Sequence, residues 1–252
     1  MKINFIPNWN GHLFLQNYKD NSITKLFNEL NFKNKELVKV TKNNFEETNL
    51  EIEKQFENSK NEFQLSVTGD HSNSYPLIKA FSKSHGNNFK LVIFDAHPDV
   101  EVGTDVVSHE DYLRFLIDES LVEPENVYLF GIRTFSRTEY QYLVDKKVNF
   151  MSITDVLQNH NKVIEILTSL EGTIYTTTDI DVLDPDVAPG TYYREYCGLY
   201  LEELFEYLSI IIPKSKSADF SEFYSEKDDE FETTKTNALK LIEHIINLVK
   251  SK

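Results

Sequence analysis

Short apolar runs rich in β-branched and aromatic residues alternate along the chain with longer stretches in which apolar positions recur every three or four residues. Phe63–Val67, Leu91–Phe94, Val127–Phe130, Ile174–Thr178 and Ala218–Phe220 read as buried strands, and Lys2–Ile6, Leu37–Val40 and Val148–Met151 as weaker ones. Helical spacing runs through Phe45–Phe56, Tyr75–Ser84, His109–Ile117, Arg137–Asp145, Val163–Leu170, Leu201–Ile211 and Asn237–Val249. Strands alternating with helices build βαβ units, which predicts an α/β fold with a mostly parallel sheet covered on both faces. No Pro-, Gly- or Ser-rich linker divides the pattern and no internal repeat is found, so residues 1–252 are read as one domain. The polar stretch Ser225–Lys235 reads as a solvated loop.

Composition excludes several classes. The chain carries 41 Asp and Glu against 26 Lys and Arg, a net charge of −15, yet 40% of it is hydrophobic. That is too apolar for a disordered chain and too acidic to grip a phosphate backbone, so no nucleic acid is expected as a partner. The acidic balance suits a cationic substrate or metal ions. Cys197 is the only cysteine, which rules out an internal disulfide and a thiolate metal cage. The opening, MKINFIPNWNGHLF, does not have the form of a secretory leader, and no apolar run is long enough to cross a bilayer. The expected compartment is the cytoplasm, with no membrane partner.

In open α/β sheets, sites form just beyond the carboxyl ends of the strands. Thr68-Gly69-Asp70-His71-Ser72 follows the first strong strand, Asp95-Ala96-His97-Pro98-Asp99 the second, Asp179-Ile180-Asp181 the fourth and Ser221-Glu222 the fifth. Asp95, His97 and Asp99 are spaced by two, which puts them on one face of an extended chain, and Asp179 and Asp181 share that relation. One such cluster would be an ordinary cap or turn. Several converging at one sheet edge would bury carboxylates that only cations make tolerable. Asp95, Asp99, Asp179 and Asp181 supply four negative charges, which two divalent ions balance, and His71 and His97 add imidazoles. Oxygen-rich coordination with one imidazole per ion suits Mn(II) better than a structural zinc. Two bridged ions would hold a water between them and lower its pKa, giving the nucleophile of a hydrolase.

Gly-Asp-His-Ser, Asp-Ala-His-x-Asp and Thr-x-Asp-Ile-Asp-x-x-Asp-Pro-x-x-Ala-Pro-Gly-Thr together resemble the ureohydrolase family of arginase, agmatinase and formimidoylglutamase, from about Gly69 to Glu222. The resemblance implies a three-layer α/β/α fold around a central parallel sheet of about eight strands, a binuclear manganese centre, and hydrolysis of a guanidino C–N bond. Carried over by motif, His71, Asp95, Asp99 and Asp179 would hold one manganese. His97, with Asp95, Asp179 and Asp181, would hold the other. Asp99 would also orient the hydroxide, His109 in Ser108-His109-Glu110 would shuttle protons to the leaving amine, and Glu222 in Asp219-Phe220-Ser221-Glu222 would bind the guanidinium. Gly131-Ile132-Arg133 and the step from Asp99 to His109 are similar to agmatinase-like members. The family often forms trimers or hexamers, so a homo-oligomer is expected by analogy.

The match has gaps. Thr68 replaces the first glycine of the usual Gly-Gly-Asp-His-Ser, Glu110 stands where many members have glycine, and Ser225 replaces a proline. Tyr192-Tyr193-Arg194 follows Gly190-Thr191, with Tyr193 at the place of a threonine that helps position substrate in several members. The chain is also short at its N-terminal end for the family. These departures keep two alternatives open: a dinuclear hydrolase of a formimino or amide bond, and a non-catalytic metal-binding member of the fold. Elsewhere, His12, His85, His160 and His244 show no ligand spacing and read as surface or capping residues. Asp70 and Asp184 read as loop-fixing, Glu101 as solvent-facing, and Trp9 as core or interface.

Overall fold

The structure, a computed structural model, describes residues 1–12, 20–40, 45–57, 62–103 and 105–251. Eight strands among them form one sheet: β1 (Lys2–Ile6), β2 (Lys35–Leu37), β3 (Gln64–Thr68), β4 (Lys90–Phe94), β5 (Val127–Ile132), β6 (Asn149–Ser152), β7 (Ile174–Asp179) and β8 (Ser217–Ser221). Their order across the sheet is β2-β1-β3-β8-β7-β4-β5-β6, and every pairing is parallel. The helices are α1 (Ser22–Glu29), α2 (Phe45–Phe56), α3 (Ser74–His85), α4 (Tyr112–Asp118), α5 (Arg137–Lys146), α6 (Ile153–Gln158), α7 (His160–Ser169), α8 (Leu201–Ile211) and α9 (Thr233–Lys250).

A sheet covered on both faces needs strands that are apolar on both sides, and β4 shows how one strand serves two cores. Val92 and Phe94 pack with α6, α7, α8 and α9, whereas Leu91 and Ile93 pack with α2, α3, α4 and α5. Phe94 stacks between Phe130 of β5, at 5.7 Å, and Tyr207 of α8, at 6.1 Å. The expected three-layer α/β architecture is therefore the observed one.

Several boundaries differ, each for a local reason. The edge strand β2 lies at Lys35–Leu37 rather than Leu37–Val40, because pairing with Ile3, Asn4 and Phe5 sets its register. Val38 is buried just past the strand's end. The helix expected from His109 starts at Tyr112, since Ser108–Asp111 closes a turn in which Ser108 N donates to Asp111 Oδ1 at 2.6 Å. The stretch Ser225–Lys235 is not loop throughout: its last three residues open α9. Asp228 accepts from the amides of Thr234 and Lys235 at 3.0 and 2.9 Å, and Asp229 from that of Thr233 at 2.8 Å. The short helices α1 and α6 have no counterpart in the sequence reading, and α6 starts from a Ser152/Asp155 capping box.

Gly69, just beyond β3, packs against the segment after β1 so closely that a Cβ would lie 2.0 Å from the Asn8 carbonyl oxygen. Thr68 ends the regular strand, paired with Ile6, so glycine is not needed there. We expect Gly69→Ala to destabilise by at least ~1 kcal/mol, because backbone must move to admit the methyl, while Thr68→Gly should not stabilise. Phe94→Ala should cost about 3–5 kcal/mol and Leu157→Ala, at an exposed position, less than about 0.5 kcal/mol. Urea unfolding midpoints rank these variants; equal midpoints for Phe94→Ala and Leu157→Ala would contradict the assigned core.

Candidate metal centre

The four strands whose ends carry the Asp, His and Glu motifs, β3, β8, β7 and β4, are consecutive in the sheet. After β3 the chain enters a short turn, His71–Asn73, whose cap is Asp70. The Asp70 carboxylate accepts from the amides of Ser72 and Gly11, each at 3.1 Å, and so ties the turn to the loop after β1. After β4, Asp95 and His97 leave the strand and Asp99 takes φ 50°, a left-handed conformation that aspartate tolerates better than most residues. Asp179 ends β7 and caps the turn Ile180–Val182 that carries Asp181. Glu222, just past β8, has φ 66° and is pinned at both ends: its amide donates to Gly69 O at 2.8 Å and its carboxylate accepts from His71 N at 2.7 Å. The positive φ at Glu222 is backbone strain held by these two contacts.

The carboxylates are oriented by a shared device. In each of three, one oxygen is held by a backbone amide: Asp95 Oδ1 by His97 at 2.7 Å, Asp179 Oδ1 by Asp181 at 2.8 Å, and Asp181 Oδ1 by Ala96 at 3.1 Å. The other oxygen points to the centre. His71 Nδ1 lies 2.9 Å from Asp95 Oδ2 and 3.2 Å from Oδ2 of both Asp99 and Asp179. His97 Nδ1 lies 2.9 Å from Asp181 Oδ2 and 3.8 Å from Asp95 Oδ1. The result is two donor clusters able to hold a metal ion, His71–Asp95–Asp99 and Asp95–His97–Asp181, with Asp95 in both. His71 Nδ1 and Asp95 Oδ2 are buried and make no hydrogen bond, so donor atoms face one another with no proton-sharing geometry between them. That orphaned pair, in an oxygen-rich set with imidazole, fits a divalent cation.

Burial raises the proton affinity of Asp95, Asp99 and Asp179, and neighbouring carboxylates raise it further. Asp181 goes the other way, because His97 outweighs its burial. Burial also pushes Glu222 up to about 7, with the His71 amide opposing. Glu222 lines the same inner pocket as His71, His97, Asp99, Asp179 and Asp181. His109 lines it too, from the turn before α4. Its Nδ1 sits 3.0 Å from Gly11 O, an acceptor, so Nδ1 carries the proton and Nε2 is left buried without a hydrogen bond. A cleft of about 340 Å³ opens beside this pocket, with Glu101, Glu110, Glu139, Glu195 and Tyr193 among its walls.

All eight expected site residues thus meet in one place. Four other expectations change or sharpen. His12 is not a surface residue: it is buried and its ring stacks on His109 at 4.2 Å. Glu101 is half-buried at the cleft wall rather than fully solvent-facing. Asp184 fixes its loop through the amides of Asp186 and Gly198, at 2.9 and 3.0 Å. Trp9 is buried in the core. His85, His160 and His244 lie elsewhere, in local contacts with Phe81, Tyr207 and Ser209. Arg133, which no local spacing marks as a clamp, donates from its guanidinium to the carbonyls of Asp181 at 2.6 Å and Glu195 at 2.9 Å.

The sequence signature of the arginase family matches residues 12–247. The chain is 37% identical over 147 residues to an agmatinase of Bacillus anthracis, covering 57% of this chain and 48% of that protein. It is 33% identical over 199 residues to the agmatinase of Bacillus subtilis strain 168, covering 76% and 66%. The matches therefore span about half to two thirds of those relatives' lengths. The crystal structure of formimidoylglutamase from Bacillus subtilis superposes with a TM-score of 0.85 at 18% identity, over 100% of this chain and 88% of that one, which shows a common fold. With its eight parallel strands, its paired Asp/His clusters and the family signature over nearly all its length, this chain belongs to the arginase family.

Proposed function

We propose that the chain hydrolyses the guanidino C–N bond of a small cation to urea and an amine, as an agmatinase-like enzyme with two manganese ions. The observation that carries this reading is Glu222, a buried carboxylate in the pocket of the two clusters, where a planar guanidinium is the complementary charge. His71, Asp95, Asp99 and Asp179 would hold one ion, and His97, Asp95, Asp179 and Asp181 the other. Once bound, two such ions supply a nucleophile from water near neutral pH.

The protein's own groups do the rest. Glu222 pairs with the guanidinium and presents its carbon to the clusters. Asp99, with its backbone oxygen accepting from Leu113 N at 3.1 Å, is braced against the start of α4 and orients the attacking group by accepting its hydrogen. His109 leaves Nε2 free at the pocket, where it takes up the proton released by the attacking water and passes it to the departing amine, the step that makes the amine a leaving group. Carboxylates at the cleft favour a second positive end on the substrate and oppose a carboxylate there, so agmatine fits better than arginine or a formimino dicarboxylate.

Manganese-loaded protein should release urea from agmatine faster than from arginine, in a colorimetric urea assay across a panel of guanidines. Ammonia or formamide without urea would replace this reading with the formimino or amide alternative, and no turnover of any C–N substrate would favour a non-catalytic member. Glu222→Gln should keep its metal and lose at least about a hundredfold in kcat/KM, as expected for unpairing a buried ionic contact; unchanged turnover would remove its role. His97→Ala or Asp181→Ala should lower bound manganese below the wild-type count, measured by elemental analysis after dialysis.

A further inference from the structure

Both histidines of the centre turn Nδ1 toward the carboxylates and Nε2 outward, and each Nε2 meets a different support. His71 Nε2 lies 2.9 Å from the Thr177 hydroxyl, which donates to Asp219 Oδ1 at 2.5 Å. Asp219 also accepts from Ser74 at 3.0 Å and Tyr175 at 2.7 Å. This support is a neutral hydroxyl on a buried, fully engaged carboxylate. His97 Nε2 faces a carboxylate directly: Glu195 Oε1, at 3.7 Å. That is ion-pair reach rather than a hydrogen bond.

Glu195 is built into its place. The Thr134 hydroxyl donates to its Oε2 at 2.5 Å, and Arg133 donates to its carbonyl from Nε at 3.3 Å and Nη2 at 2.9 Å. The same guanidinium donates to the carbonyl of Asp181, whose carboxylate lies on the other side of His97. One arginine thus fixes the spacing between the two acidic residues that flank the imidazole.

We propose that Glu195 is a positioning residue for His97, setting the affinity of one of the two metal sites. A neutral imidazole carries a single N–H, and a carboxylate beside Nε2 favours the tautomer with the proton there. Nδ1 then presents its lone pair to the Asp95–Asp181 cluster, with its basicity raised. Because His71 is supported by a hydroxyl instead, the effect is confined to one site. The inference rests on the two-ion reading above and extends it to a residue outside the ligand set. The rival role for Glu195, as a cleft wall that holds the substrate's far cation, acts on substrate and not on metal.

Manganese titration of the full chain by calorimetry, comparing wild type, Glu195→Gln and Thr134→Val, separates these roles. Wild type should bind two ions. Glu195→Gln should bind one as tightly as wild type and the other about 10–100-fold more weakly, with a changed cobalt(II) absorption spectrum. Thr134→Val frees the tether at an exposed position, so it should shift the same site in the same direction, though less. Both ions bound at wild-type affinity in Glu195→Gln, with only KM for agmatine raised, would overturn the proposal in favour of the substrate role. Wild-type protein that binds no ion would instead remove the two-ion reading, and the role of Glu195 with it.

Discussion

Four aspartates and two histidines brought within a few ångströms at the carboxyl edge of a sheet form the constraint on which the rest of this structure depends. Like charges at such distances, out of water, are costly, and burial raises the proton affinity of Asp95, Asp99 and Asp179. The arrangement answers that cost in two ways. Backbone amides neutralise one oxygen of each of three aspartates, and the remaining oxygens converge on two imidazole nitrogens. Convergence of these donors around shared Asp95 is the geometry in which two divalent cations would turn repulsion into cohesion.

Parallel topology makes that convergence possible. All strands point the same way, so every strand exits on the same side, and the order β3-β8-β7-β4 sets four acidic exits side by side. The chain lays down β3 and β4 first and later inserts β7 and β8 between them. The centre is therefore complete only when the last strand is in place. Glu222, on the final exit, then locks the first one through Gly69 and His71. The left-handed backbone at Glu222 is strain that this closure supports, and it falls on a residue with a proposed chemical role.

Much of this was legible in the sequence, because the signals are local. A β-rich run followed by Asp or His marks both a strand and what its exit carries; five of the six proposed ligands stand at alternate positions after such a run, and the resemblance to the family motifs adds His71 and the division between two ions. What escaped was contact between segments far apart. His12 follows β1, whose strand pattern is weak, and its stacking on His109 joins segments distant in sequence. Thr177 and Asp219 sit inside strands, where a polar residue in a buried run was itself the unused signal. Glu195 and Arg133 act across gaps of many residues, and nothing in the periodicity of either segment shows that they meet. The acidic stretch before α9 looked like a solvated connector, yet its aspartates cap the helix.

The departures from the family pattern are concentrated where the substrate would lie. Tyr193 and Glu110 wall the cleft, while His71, Asp95, His97, Asp99 and Asp181 form the two donor clusters. The proposed metal ligands and the altered cleft wall are thus separate residues in this chain. Diffraction from crystals grown with manganese, recorded at the manganese absorption edge, decides whether the two clusters hold a pair of ions. Two anomalous peaks about 3.5–4 Å apart are expected, one beside the His71–Asp95–Asp99 cluster and one beside the Asp95–His97–Asp181 cluster. A single peak away from Asp95, or none with His71, His97 and Asp181 splayed apart, would contradict the two-ion reading.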